Sequence, residues 1–140
     1  MCILNLTQHN ASPEQLKAGV IDMTMAGQPT ELKELLTFDN LPSREDVNDR
    51  AKKIADWAEM EIYCSGGHSG DNFKINAVMI GGAPFLMAPL VKQFRKKGIR
   101  TLFAFSKRVS EEDPKTGRKI SVFKHEGFVT ALERGEIHFQ

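Results

Sequence analysis

The sequence predicts an α/β fold: a mostly parallel sheet flanked by helices, with a C-terminal β-hairpin appended. Three patterns carry that expectation. Ala77-Val-Met-Ile80 is an apolar run with no polar alternation, as in a strand covered on both faces. After it come a Gly81-Gly82-Ala83-Pro84 turn, then Leu86, Leu90, Val91 and Phe94 at helical spacing, then Gly98 and a second apolar run from Ile99 to Phe105. That makes a strand–helix–strand unit of about 30 residues. Asp113-Pro-Lys-Thr-Gly117, between Arg108-Val-Ser-Glu and Lys119-Ile-Ser-Val-Phe-Lys124, is a hairpin turn.

The other elements follow from the N-terminus. Cys2-Ile-Leu-Asn-Leu6 has the length of a buried strand, and Thr7-Gln-His-Asn10 is the polar loop after it. Ser12-Pro13-Glu-Gln15 combines an N-cap, a proline at the first helical position and a glutamine placed to close a capping box. Gly19 ends that short helix, and Val20-Ile-Asp-Met23 reads as a second short strand. Thr24 to Pro29 is a turn-rich connection, and Thr30 is expected to cap a segment with Leu32, Leu35 and Leu36 at helical spacing. Ser43 opens a longer helix in which Val47, Ala51, Ile54, Ala55, Ala58 and Ile62 trace one apolar stripe, with Trp57 packing beside it. Ser65 to Asp71 is glycine-rich and reads as a loop.

Composition narrows the class. Hydrophobic residues at 41% and charged residues at 26% fit a globular chain of 140 residues rather than a disordered one. No apolar stretch approaches the roughly 20 residues that span a bilayer, so no membrane partner is expected. No secretory signal is visible, and two cysteines, Cys2 and Cys64, are too few for a disulfide framework. A cytoplasmic location is the expectation. The net charge of +1 hides a strong asymmetry: residues 1–91 carry −5, residues 92–124 carry +8 and residues 125–140 carry −2. Lys92 to Arg108 contains seven basic residues and no acid, a local field able to steer an anion. The near-zero total disfavours indiscriminate nucleic-acid binding.

The candidate site lies where three strands would end. Gly81-Gly82 permits close approach of a ligand to the backbone, and the helix after it presents unpaired N–H groups to an anion. The pair matches neither a GxGxxG fingerprint nor a phosphate-binding P-loop, and a tight packing turn explains it equally. Ser106-Lys107-Arg108 is expected to end the neighbouring strand on the same rim, as are Thr7, Gln8 and His9 if the first strand is parallel. Lysine and arginine suit a phosphate, and imidazole is the side chain that exchanges protons near neutrality. Metal is not expected: Cys64-x-x-x-His68 has no second pair of ligands, and His125 and His138 read as sheet or surface residues. No cofactor is implied.

The order of Asn5-Leu-Thr-Gln-His9 with Pro13-Glu-Gln15 behind it, Met79-Ile-Gly-Gly-Ala83 before a helix, and Phe103-Ala-Phe-Ser-Lys-Arg108 resembles the small Rossmann-like ring nucleases of CRISPR defence, relatives of the CARF sensor domain. The likeness covers residues 1–18 and 76–109. With the pattern of elements it makes residues 1–140 one Rossmann-like domain, in which residues 107–126, read from the turn and its flanking strands, are a hairpin extension. It also implies a homodimer holding a cyclic oligoadenylate across its two-fold axis. Cleavage in such proteins is metal-independent: a ribose 2′-hydroxyl attacks the adjacent phosphate and leaves a 2′,3′-cyclic phosphate. The resemblance then makes Lys107 and Arg108 the phosphate-stabilising groups and His9 the base. Gly81, Gly82 and Ala83 supply backbone contacts, and Thr7 and Gln8, with Ser106 beside them, hold the ligand. Two other readings stand beside this one: a non-catalytic nucleotide- or phosphate-binding module on the same rim, and an interaction protein using its basic face.

Overall fold

The computed structural model describes residues 1–66, 74–131 and 137–139. Its strands are β1 (Cys2–Asn5), β2 (Val20–Ile21), β3 (Ile75–Ile80), β4 (Arg100–Glu112), β5 (Lys119–Ala131) and β6 (Ile137–Phe139), and its helices are α1 (Pro13–Lys17), α2 (Thr30–Leu36), α3 (Arg44–Gly66) and α4 (Pro84–Lys96). The strands form one sheet in the order β2-β1-β3-β4-β5-β6. β2, β1, β3 and β4 run parallel, and β5 and β6 continue the sheet antiparallel. The chain leaves β1 toward one side to make β2, then returns to the other side to make β3. Strand order therefore reverses between β1 and β3.

Alternation along the strands divides the interior. Leu4, Val78 and Ile80 join α2, α3 and α4 in the larger cluster, around the fully buried Leu32, Ile54, Leu86, Leu90 and Phe94. Ile3, Ala77, Met79 and Leu102 point the other way and meet Val20 and Phe128. Every residue of β3 except Asn76 is buried, as its unbroken apolar run predicts.

Local chemistry explains the helix ends. The Ser12–Gln15 capping box is formed, and Gly19 turns the chain at φ +100°, where a Cβ would lie 2.1 Å from the Met1 carbonyl oxygen. Ser43 caps α3 by accepting from the Asp46 amide at 3.0 Å. At the end of α4, the Lys97 ammonium joins that helix to α3 through Asp56 at 2.8 Å and Glu59 at 3.0 Å.

Three expectations need correction. Thr30 is the first residue inside α2, not its cap; Pro29 holds the cap position and offers no side-chain acceptor. The second strand stops at Ile21, because Asp22 turns its carboxylate to the Asn5 side chain and the Ala11 amide, at 2.9 Å each. Ser106-Lys107-Arg108 does not end a strand. β4 continues to Glu112 because β5 pairs with it from Thr101 to Glu112, and the Asp113 turn closes the hairpin with Gly117 at φ +67°. Most of the Ser65–Asp71 loop, including His68, lies outside the described residues, while Ser65 and Gly66 belong to α3.

Candidate functional site

The reversal between β1 and β3 opens a crevice of about 520 Å³ beyond their carboxyl ends, the place where open α/β sheets bind ligands. Thr7 to Asn10 form one wall and Gly81 to Ala83 the other, with Met79, Ile80, Phe103 and Ala104 as the floor. Gln15 of α1 and Leu36 of α2 close the sides. Six of the residues expected at a site therefore converge: Thr7, Gln8, His9, Gly81, Gly82 and Ala83.

Ser106, Lys107 and Arg108 do not join them. Ala104 is the last β4 residue in the lining, and at about 3.3 Å per strand residue Arg108 starts roughly 13 Å farther out. Its guanidinium sits over the Phe123 ring, 5.4 Å from the centroid. The basic block of the sequence is in fact dispersed. Lys97 is bound to α3, Lys124 is paired with Glu111, and Lys107 stands on the hairpin. Burial opposes the charge of Lys97, but the hydrogen bonds to Asp56 and then Glu59 outweigh it and raise its pKa.

The loop after β1 is held by side chains that sequence reasoning missed. Asn5, fully buried, donates to the His9 carbonyl at 2.8 Å and the Asp22 carboxylate at 2.9 Å, and accepts from the Thr7 amide at 2.9 Å and hydroxyl at 2.8 Å. Gln28 donates to the carbonyls of Asn5 at 2.9 Å and Thr7 at 2.7 Å. An asparagine inside an apolar strand is a sequence signal for buried hydrogen bonding. Gln28 gives no such signal, because the two carbonyls it donates to lie more than 20 positions away.

This bonding fixes what the crevice offers. The Asn10 side-chain oxygen accepts from the Gln28 amide at 2.9 Å, and that of Gln15 accepts from the Ser12 amide at 3.0 Å. Both oxygens are engaged, so the NH2 groups of Asn10 and Gln15 remain to donate. The Thr7 hydroxyl proton is committed to Asn5, and Gln8 spends one N–H on Thr37 at 2.9 Å. The amides of Gly82 and Ala83 have no hydrogen-bond partner among the described residues. Among the described residues, none that lines the crevice is Asp, Glu, Lys or Arg. Gly81 faces Thr7, whose methyl group would lie 3.4 Å from an added Cβ. Among the described residues, no group of three His, Cys, Asp or Glu side chains is placed to hold a metal ion.

Fold and crevice together define an α/β protein with an uncharged, donor-rich cleft at the point where its parallel strand order reverses. The chain belongs to the Uncharacterized protein MJ1673 family, whose model matches residues 1–129 and so takes in both walls of the crevice and the whole protruding part of the hairpin. No curated protein and no solved structure matches it.

Proposed function

We propose that this is a Rossmann-like nucleotide-binding protein whose ligand lies in the crevice between β1 and β3. A cyclic oligoadenylate is the ligand that the sequence resemblance implies. The observation that supports the reading is the donor surplus: the NH2 groups of Asn10 and Gln15 and the amides of Gly82 and Ala83 remain to donate, while no carboxylate among the described residues lines the space. Phosphate oxygens and base nitrogens are acceptors, which such donors can meet. The apolar lining by Met79, Ile80, Phe103 and Leu36 suits the face of a base.

On this reading Thr7 and Gln8 hold ribose or base, and the Gly81–Ala83 turn receives a phosphate. His9 is exposed at the rim, free to take the 2′-hydroxyl proton as that oxygen attacks phosphorus, while the P–O5′ bond breaks and the departing 5′-oxygen takes a proton from water. Charge on the phosphate would then be met by the turn amides and the start of α4. Lys107, Arg108 and Ser106 stand outside the first contacts of a ligand bound in one chain.

Incubation with cyclic tetra-adenylate, followed by chromatography, tests binding and turnover together. Bound, intact ligand means a sequestering module; a shorter product ending in a 2′,3′-cyclic phosphate means a nuclease. Gly81→Val should weaken binding at least tenfold while the thermal transition persists, because the side chain enters the space beside Thr7. Failure of the wild type to bind cyclic tetra-adenylate or AMP, or unchanged affinity in Gly81→Val, would remove the assignment.

A further inference from the structure

One edge of β4 lacks a partner strand for most of its length. β3 pairs with it only as far as Phe103, whereas β4 runs on to Glu112 with β5 along its other edge. From Ala104 onward, the edge on the β3 side therefore carries main-chain groups that no described strand takes up. Lys107, Arg108, Ser110 and Glu112 are exposed there. Such an edge is a template for another strand.

The sequence along it selects which strand. Lys107-Arg-Val-Ser-Glu-Glu-Asp113 has its cations at one end and its carboxylates at the other, so it complements itself when reversed. An antiparallel pair of identical strands has a two-fold axis normal to the sheet, and one residue then faces its own copy. With Ser110 on that axis, Arg108 faces the second copy's Glu112 and Lys107 faces the second copy's Asp113, and the axis repeats both pairs. Val109 then faces Glu111, whose carboxylate Lys124 of its own chain already neutralises. An axis one residue earlier matches only Lys107 with Glu111. It would also carry the second copy's Asp113 to the level of Phe105, two residues past the end of the β3 pairing and into the Gly81–Gly82 turn. An axis one residue later sets Glu111 against Glu111.

Within the single chain Asp113 accepts from the Lys115 amide and the Thr116 hydroxyl and Arg108 lies over the Phe123 ring, but neither meets an opposite charge among the described residues. Lys107 lies directly opposite Lys124 in the hairpin, a like-charge placement that costs stability, and no ion pair of Arg108 or Glu112 is found among the described residues. We propose that two copies of the chain join edge to edge through β4, antiparallel about Ser110, in a four-stranded ribbon ordered β5-β4-β4-β5. The pairing stands on the edge and its charges, without the ligand reading.

Sedimentation velocity on the full-length protein at moderate salt tests it. The wild type should be a dimer. Arg108→Glu alone and Glu112→Arg alone each set like charges opposite each other twice, and each should raise the dissociation constant at least tenfold. Mixing these two variants in equal amounts should restore the dimer, as should the doubly exchanged chain R108E/E112R. A monomeric wild type, single variants that dimerise like the wild type, or a mixture that stays monomeric would overturn the proposal.

Discussion

Asn5 shows how one side chain shapes the crevice. Both of its donors and its acceptor oxygen are used, and it is completely buried. Asn5→Ala removes the acceptor of the Thr7 amide and one of the two donors to the Asp22 carboxylate, which keeps the Ala11 amide, and leaving a polar group unpaired inside the fold costs about 1–3 kcal/mol. Denaturant unfolding should show a loss of about that size. The two glycines of the opposite wall, Gly81 and Gly82, should separate conformation from space. Gly82 holds φ +142° with 3.8 Å to the nearest atom around an added Cβ, so Gly82→Ala suffers from backbone conformation rather than collision. Gly81 has no such dihedral constraint. Thermal denaturation should therefore show a lower midpoint for Gly82→Ala and a nearly unchanged one for Gly81→Ala.

Elements were legible wherever one short stretch of sequence determined them. The α3 stripe, the Ser12 capping box, the β3 run and the Asp113 turn each follow from residues within a few positions of one another. The end of β4 was not legible, because it depends on β5: Lys107 and Arg108 look like a polar strand exit until residues 119–131 pair with them. The α2 cap was misread for a similar reason, since Thr30 has the right side chain but Pro29 sets the helix start. The tether between α3 and α4 gives a pH prediction. Lys97 has its pKa raised above 10.5 by hydrogen bonds to Asp56 and Glu59. Its contribution is therefore complete below 10.5 and fades as pH rises through the higher folded value. Lys97→Met should lower stability at pH 8, and the gap from the wild type should narrow in strongly alkaline buffer, as followed by urea unfolding.

At the scale of the whole molecule, the sheet and the ribbon are separable. No residue from Ser106 to His125 belongs to either buried cluster, whereas Leu102, Phe103 and Phe128 at the base of the hairpin do. Replacing residues 107–124 with Asn-Gly, which joins the directly paired Ser106 and His125, should keep the circular dichroism of the fold. The thermal midpoint should stay within about 5 °C of the wild type. Six of the nine site residues named from the sequence meet in the crevice because β1 and β3 are parallel neighbours. The sequence could not show that the basic residues leave that rim, because charge counted along a chain ignores the direction in which a strand carries it.

The pairing of β1 with β3 also orders events in time. Cys2 finds its neighbour at Ile75, so the first strand stays without its main partner until more than half of the chain has been made. Closing so long a loop is the slow, entropically costly kind of contact formation. The crevice lies across that same seam. A ligand bound there would hold together the two strands whose meeting comes late, and so would act mainly by slowing their separation. Unfolding rates, more than folding rates, are where its presence should be felt.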